Sequence, residues 1–152
     1  MAKVLVVDDD ARVRAVLRRL LSKLGHEVWD VADGEDALRL LKTVPLDLVI
    51  ADAYMTAVDG VELLARIQQR ELRVPVVVMS GGGYRSSKEV LQMAADIGAA
   101  ATLEKPFSSQ QLEGTIEPLL RSTPAAQGGS PGPQGLLLEG QPAGQPPSGR
   151  AK

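Results

Sequence analysis

Four short strand-like segments of the chain each lead into polar residues that could carry out phosphoryl transfer to an aspartate. Residues 4–7 (VLVV) precede three aspartates, and residues 48–51 (LVIA) precede one. Residues 76–79 (VVVM) precede a serine, and residues 100–104 (AATLE) precede a lysine and a proline. The polar residues are, in chain order, Asp8, Asp9, Asp10, Asp52, Ser80 and Lys105. A nucleophilic carboxylate, further carboxylates, a hydroxyl and an ammonium are groups that serve this chemistry.

Three of these carboxylates could hold a metal ion together. Asp8, Asp9 and Asp52 would meet if the strands before them are parallel neighbours, because ligands bind at the carboxyl ends of parallel strands. Like charges so close together repel, and a cation would relieve the repulsion. Oxygen ligands with room for water and phosphate favour Mg²⁺ over Ca²⁺. Asp10 is expected instead to cap the helix that follows.

Lys105 and Ser80 are the candidates for contacting a phosphoryl group. Pro106 disfavours a helical conformation for Lys105, which follows a predicted buried strand. The Lys105 ammonium could pair with Asp52 before the transfer and with a phosphoryl oxygen after it. Ser80 offers one hydrogen-bond donor to the same group. Residues 81–83, all glycine, lack the spacing of a phosphate-binding loop and are interpreted as a flexible loop.

The hydrophobic pattern predicts that strands and helices alternate along the chain. Strands are expected at residues 3–7, 27–31, 47–51, 75–79 and 99–103, each followed by a helix with apolar residues at helical spacing. On the first helix the basic residues are assigned to faces other than the apolar one: Arg12, Arg14, Arg18, Arg19 and Lys23. This (βα)5 alternation predicts an α/β fold, a doubly wound five-stranded parallel sheet of flavodoxin-like type. The usual strand order of such a sheet is 2-1-3-4-5.

The composition excludes several classes of function. The chain has 152 residues, enough for one ordinary domain, and its net charge of −2 predicts no general affinity for nucleic acid. It contains no cysteine, which excludes disulfides and thiolate chemistry and fits a reducing cytoplasm. The first residues enter a strand without a signal-peptide pattern, so a cytoplasmic location without membrane insertion is expected.

The last 31 residues differ in composition from the rest. Residues 122–152 hold seven of the fifteen glycines and six of the ten prolines. Such a segment buries too little apolar surface to offset the entropy lost on ordering. We therefore expect a folded domain over residues 1–121 and a disordered Gly/Pro-rich tail over residues 122–152.

The order and spacing of these motifs resemble the receiver domain of two-component response regulators. The resemblance rests on VLVVDDD at residues 4–10, LVIAD at 48–52, DG at 59–60, VPVVVMSG at 74–81 and KPF at 105–107. The resemblance covers residues 1–121. It is to stand-alone receivers of the kind found in the chemotaxis regulators. A protein of this family takes a phosphoryl group from a histidine kinase or a histidine phosphotransfer protein.

The resemblance implies a role for each residue of the motifs. Asp52 would be the phosphoacceptor, with Ser80 and Lys105 contacting the phosphoryl group. Asp9 and Asp52 would bind Mg²⁺ directly, and Asp8 would act largely through metal-bound water. The backbone carbonyl of Met55 would be a further metal ligand, and Gly60 would open the third helix. The protein would not be an enzyme beyond its own phosphorylation and slow dephosphorylation.

Some positions depart from the family pattern. Thr56 stands where the family usually has proline, and Thr102 stands where it usually has an aromatic residue. The aromatic switch of relatives is therefore absent. Gly114 and Pro118 interrupt the fifth helix, which is predicted to kink or end near Glu117 because an interior proline removes a hydrogen bond.

The leading interpretation is a receiver that signals through protein–protein contacts, without an output domain of its own. A switch acting on a target protein and a phosphate carrier in a relay both fit the sequence. The alternative from another class is a small Mg²⁺-dependent phosphatase of haloacid dehalogenase type, because residues 8–10 contain a D-x-D after the first strand. A flavodoxin-like FMN binder would need a hydroxyl-rich loop and flanking aromatics, and the sequence has neither.

Overall fold

A five-stranded parallel sheet is the frame of the protein in the computed structural model, which describes residues 1–55, 58–81 and 87–121. The strands are β1 (Lys3–Val7), β2 (Glu27–Val31), β3 (Leu48–Asp52), β4 (Val76–Ser80) and β5 (Ala101–Glu104). Their order in the sheet is β2-β1-β3-β4-β5, and all neighbouring pairs are parallel. The predicted fold class and strand order are confirmed.

Five helices cover the two faces of the sheet. They are α1 (Ala11–Lys23), α2 (Gly34–Thr43), α3 (Gly60–Gln69), α4 (Ser87–Ile97) and α5 (Ser109–Arg121). Apolar side chains of α1 and α5 pack in one core on one face, and those of α2, α3 and α4 pack in a second core on the other. Each central strand contributes side chains to both cores, because successive side chains point to opposite faces of the sheet. Val4 and Val6 lie in one core, and Leu5 and Val7 lie in the other.

Short polar side chains fix where the helices begin. The side chains of Asp10, Asp33 and Asp59 accept hydrogen bonds from backbone N–H groups of the first turns of α1, α2 and α3. The cap predicted for Asp10 is therefore confirmed. At α5, the Ser108 hydroxyl accepts from the Gln111 N–H, and the Gln111 side chain accepts from the Ser108 N–H. This reciprocal pair is a capping box.

The strands and the last helix differ in detail from the sequence-based expectation. β3 and β4 each begin and end one residue later than predicted, so Asp52 and Ser80 are the last residues of their strands. Of the two outcomes predicted for α5, a kink or an end near Glu117, the end is wrong, because the helix continues to Arg121 with Pro118 inside it. Leu119 and Leu120 pack against the core formed with α1, and this burial holds the last turn in place.

Several predictions concern residues outside the described ranges. Thr56, the glycines at 82 and 83, and the tail predicted for residues 122–152 lie there. Within the described ranges, no helix is both long enough and apolar enough to cross a membrane.

A close contact between α3 and β3 makes a glycine necessary beside Asp52. A Cβ atom at Gly60 would collide with the backbone carbonyl of Asp52, whereas a Cβ at Gly114 would meet nothing within 4 Å. We expect Gly60→Ala to lower the free energy of unfolding by about 1–3 kcal/mol through overpacking. The matched control Gly114→Ala should raise it by up to about 1 kcal/mol, because alanine favours a helix. Urea unfolding measures both, and an undiminished stability of Gly60→Ala would contradict the predicted collision.

Candidate functional site

The carboxyl ends of four strands bring the predicted site residues to one edge of the sheet. Asp8 follows β1, Asp52 ends β3, Ser80 ends β4, and Lys105 follows β5. Asp8 and Ser80 are fully buried, and Asp52 is 8% exposed. Buried polar groups at the end of a parallel sheet mark the place where ligands bind in this fold class. The strands therefore hold these side chains in a fixed and largely dry arrangement.

Three carboxylates form a cluster that suits a hard cation. One oxygen each of Asp8, Asp9 and Asp52 lies within 4.8 Å of the others, and Asp9 is the exposed member. A ligand set made only of oxygens, open to solvent on the Asp9 side, suits Mg²⁺ with part of its water shell retained. The geometry and the chemistry of the donors therefore fit the ion predicted from the sequence. The Met55 carbonyl lies in the loop after β3, and its part in metal binding stays a prediction.

The Lys105 ammonium lies between two of these carboxylates. Its Nζ is 3.2 Å from Asp8 Oδ2 and 3.6 Å from Asp52 Oδ1. The sequence predicted the pairing with Asp52, and the shorter contact with Asp8 was not anticipated. The Lys105 N–H donates to the Ser80 carbonyl at 2.7 Å, which ties the lysine to the end of β4. Three carboxylates and one ammonium still leave an excess of negative charge.

Gly81 makes room for the Lys105 side chain. A Cβ atom at Gly81 would collide with the aliphatic stem of Lys105. The first of the three glycines after β4 therefore has a definite packing role, beyond the flexible loop predicted from the sequence. With any larger residue at this position, the Lys105 stem or the backbone beside it would have to shift.

Burial changes the acidity of Asp52. Desolvation raises the pKa of this carboxyl to about 6; the Lys105 ammonium opposes the rise, and the charges of Asp8 and Asp9 add to it. The Tyr54 N–H also donates to Asp52 Oδ1, at 3.4 Å. A carboxylate this poorly solvated gains from any cation that binds beside it.

The Asp8 backbone and side chain are held from several directions. Asp8 Oδ1 accepts from the Asp10 N–H at 2.9 Å, and the Asp8 N–H donates to the Val31 carbonyl at 3.2 Å. Arg14 Nη1 donates to the Asp8 carbonyl at 2.7 Å. These bonds attach the loop after β1 to β2 on one side and to α1 on the other.

Arg14 is a residue near the site that sequence reasoning missed. The sequence pattern assigns it to a face away from the core, yet its side chain is only 20% exposed and bonds to the loop of residues 8–10 after β1, here called the acidic loop. The available signal was its spacing: Arg14 lies three and seven residues before Leu17 and Leu21, which are the buried leucines of α1. A basic residue in register with a buried stripe is placed to bond inward.

An open groove of about 600 Å³ runs beside this cluster. Its lining includes Lys105 and Gly81 together with the apolar side chains of Val16, Leu20 and Phe107. Val16 is 50% exposed, which is unusual for a large apolar side chain in this protein.

Comparison with known proteins agrees with this arrangement. The family model of the response regulator receiver domain matches residues 4–117. The alkaline phosphatase synthesis transcriptional regulatory protein PhoP of Bacillus subtilis is 28% identical over 124 residues, which are 82% of this chain and 50% of PhoP. The probable transcriptional regulator ycf27 of Guillardia theta is 35% identical over 121 residues, which are 80% of this chain and 46% of that protein. The chain thus spans about half the length of the curated relatives it matches.

Solved structures show the same fold. The crystal structure of the receiver domain of NtrX from Brucella abortus matches with a TM-score of 0.72 and 32% identity. The match covers 78% of this chain and 98% of that domain. The similarity therefore extends over nearly the whole of a receiver domain.

The raised pKa of Asp52 predicts how the stability of the metal-free protein depends on pH. The folded pKa of about 6 lies above the ordinary aspartate pKa of 3.8, so the folded state binds more protons between these values, and stability falls as pH rises through them. We expect Asp52→Asn to remove this loss. The variant should exceed the wild type in unfolding free energy by an amount that grows up to pH about 6 and reaches at most roughly 3 kcal/mol. Urea unfolding in EDTA from pH 4.5 to 8 measures the gap, and equal stabilities at pH 8 would contradict the buried charge.

Proposed function

Since this chain belongs to the response regulator receiver domain family, we propose that it accepts a phosphoryl group on Asp52 in a cytoplasmic two-component phosphorelay. The donor is a phosphohistidine of a histidine kinase or of a histidine phosphotransfer protein. The observation that carries the proposal is the Lys105 ammonium lying within 3.6 Å of Asp52 and 3.2 Å of Asp8, at the edge where three carboxylates meet.

The transfer is an in-line displacement at phosphorus. An Oδ atom of the Asp52 carboxylate forms the new P–O bond as the bond between phosphorus and the histidine nitrogen breaks. The electron pair of the broken bond stays on the imidazole, which then takes a proton from solvent. Positioning and charge neutralisation account for most of the catalysis in phosphoryl transfer. The protein therefore acts on itself, with slow hydrolysis of the aspartyl phosphate as its only other reaction.

The chain's own residues prepare Asp52 for this step. The desolvated carboxylate is a better nucleophile than a hydrated one, provided that it is ionised, and Lys105 favours the ionised form. After transfer, Lys105 and the Ser80 hydroxyl are the groups proposed to contact the phosphoryl oxygens. Mg²⁺ held by Asp8, Asp9 and Asp52 would neutralise charge that develops on the transferring group.

The groove beside Lys105 supports a protein donor. Its apolar walls run from the acceptor edge along α1, so a partner that seats there approaches Asp52 from the Lys105 side. Output is proposed to be a further protein–protein contact, either with a target or with the next carrier of a relay. The relatives named as transcriptional regulators are matched over only about half of their length, and their names describe those proteins.

The structure gives the phosphatase alternative little support. A D-x-D enzyme would need the side chain of its second aspartate at the reaction centre. Asp10 instead caps α1, where its oxygens accept from the backbone and guanidinium of Arg12. The Asp10 side chain is therefore committed to the helix start, and Asp52 would be left without a role.

Phosphorylation of a single aspartate is the direct test of the proposal. Incubation with Mg²⁺ and acetyl phosphate should add the mass of one phosphoryl group to the wild type, and Asp52→Asn should abolish the addition. Asp96→Asn, which changes an aspartate on α4 away from the site, should label like the wild type. Intact-mass spectrometry measures all three, and full labelling of Asp52→Asn would show that another residue is the acceptor.

Mg²⁺ should stabilise the folded protein through the carboxylate cluster. Binding to the native state alone adds about 2.7 kcal/mol at a hundredfold excess over the dissociation constant. We expect Mg²⁺ to raise the melting temperature of the wild type and to have little effect on Asp9→Ala, which lacks one ligand. Melting curves with Mg²⁺ and with EDTA provide the comparison. A rise of the same size in Asp9→Ala would place the ion elsewhere.

A further inference from the structure

The three carboxylates of the cluster differ in how their positions are fixed. Asp8 is held by the Asp10 N–H and by Lys105, and Asp52 by the Tyr54 N–H and by Lys105. The Asp9 side chain is exposed and, within residues 1–55, 58–81 and 87–121, takes part in no hydrogen bond or ion pair. Its place in the cluster therefore depends on the backbone that carries it.

Hydrogen bonds hold that backbone in place immediately before Asp9. The carbonyl of Asp8, which belongs to the peptide linking Asp8 to Asp9, accepts from Arg14 Nη1 at 2.7 Å. The Asp8 N–H donates to the Val31 carbonyl of β2 at 3.2 Å. With both polar groups of Asp8 bonded, the peptide plane leading into Asp9 has little freedom to rotate.

Asp30 holds Arg14 in the orientation that this bond requires. Arg14 Nε donates to Asp30 Oδ2 at 3.0 Å, while the other end of the guanidinium reaches Asp8. Asp30 precedes Val31 in β2. The residue that orients Arg14 and the residue that accepts from the Asp8 N–H therefore lie at the same end of that strand. The planar guanidinium spans the two acceptors in a way that the single ammonium of a lysine does not.

We propose that Arg14, oriented by Asp30, is a positioning residue for the cation site: it fixes the peptide between Asp8 and Asp9 and so places the Asp9 carboxylate. This inference rests on the proposed function, because it assumes that the cluster binds Mg²⁺. Residues that orient metal ligands from outside the coordination sphere typically change metal affinity about 10- to 100-fold.

The charge of Arg14 and its positioning role predict opposite changes in Mg²⁺ affinity when the residue is removed. Arg14 carries a positive charge close to a site for a cation, so by Coulomb's law its removal would strengthen Mg²⁺ binding. The positioning role predicts that its removal weakens binding. The sign of the change therefore separates the two.

Arg18 offers a matched control on the same helix. It lies one turn after Arg14 and pairs with the same carboxylate, through Nη2 to Asp30 Oδ1 at 2.5 Å. Among the residues that the structure describes, the Arg18 side chain bonds to Asp30 and not to the acidic loop. Arg18→Met thus removes a comparable charge and the same type of ion pair without releasing the Asp8 carbonyl.

The experiment is a titration of the whole chain with Mg²⁺ alone. Binding is measured from the amide chemical shifts of the acidic loop. We expect Arg14→Met to raise the dissociation constant about 10-fold, and Arg18→Met to change it by less than about twofold. Arg14→Lys keeps the positive charge but loses the planar guanidinium that bonds Asp30 and Asp8 at once. This variant should therefore also bind Mg²⁺ several-fold more weakly than the wild type. If Arg14→Met does not fold, Arg14→Lys decides the question, because its electrostatic contribution is unchanged.

The outcomes separate this inference from the proposed function. A wild type whose amides do not respond to Mg²⁺ would overturn both. A wild type that binds Mg²⁺, together with Arg14 variants that bind as tightly or more tightly, would overturn the positioning role alone. Equal weakening by Arg14→Met and Arg18→Met would also overturn it, because the effect would then follow from loss of the ion pair with Asp30, which both arginines make, and not from the bond to Asp8.

Discussion

The gathering of three mutually repelling carboxylates at one end of a parallel sheet constrains the rest of this structure. Asp8 and Asp52 are buried, Asp9 lies beside them, and a single ammonium from Lys105 offsets part of their charge. An unbalanced cluster of this kind is unfavourable in the resting protein. It is also what makes the site receptive to a cation and to a group that takes up the charge of Asp52. The stability that the fold loses here is the basis of the chemistry that we propose for it.

The surrounding fold keeps the cluster together against this repulsion. Two glycines allow other groups to come close: Gly60 lets α3 meet the end of β3, and Gly81 lets Lys105 cross the end of β4. The Asp8 backbone is bonded to β2 and to Arg14, so the acidic loop cannot swing outward to relieve its charge. The strands themselves are anchored by two buried cores, one on each face of the sheet.

Much of this arrangement could be predicted from the sequence, because it follows from local patterns. Strand-like runs ending in Asp8, Asp52, Ser80 and Lys105 predicted both the parallel sheet and the edge at which these residues meet. The sequence could not show contacts that depend on the exact direction of a side chain. Lys105 was expected to pair with Asp52 and lies closer to Asp8. Arg14 was assigned to an outer face and bonds inward, while α5 continues past Pro118 because Leu119 and Leu120 pack on the core. Propensity describes one residue at a time, and these outcomes depend on tertiary partners.

The central claim is that the phosphoryl group resides on Asp52 and on no other carboxylate of the cluster. Borohydride reduces the acyl phosphate of an aspartate to homoserine, which peptide mass spectrometry can locate in the chain. After incubation with Mg²⁺ and acetyl phosphate, the account predicts homoserine at position 52 and aspartate at positions 8 and 9. Homoserine at position 8 or 9, or no reduction product in a chain that has gained the mass of a phosphoryl group, would contradict it.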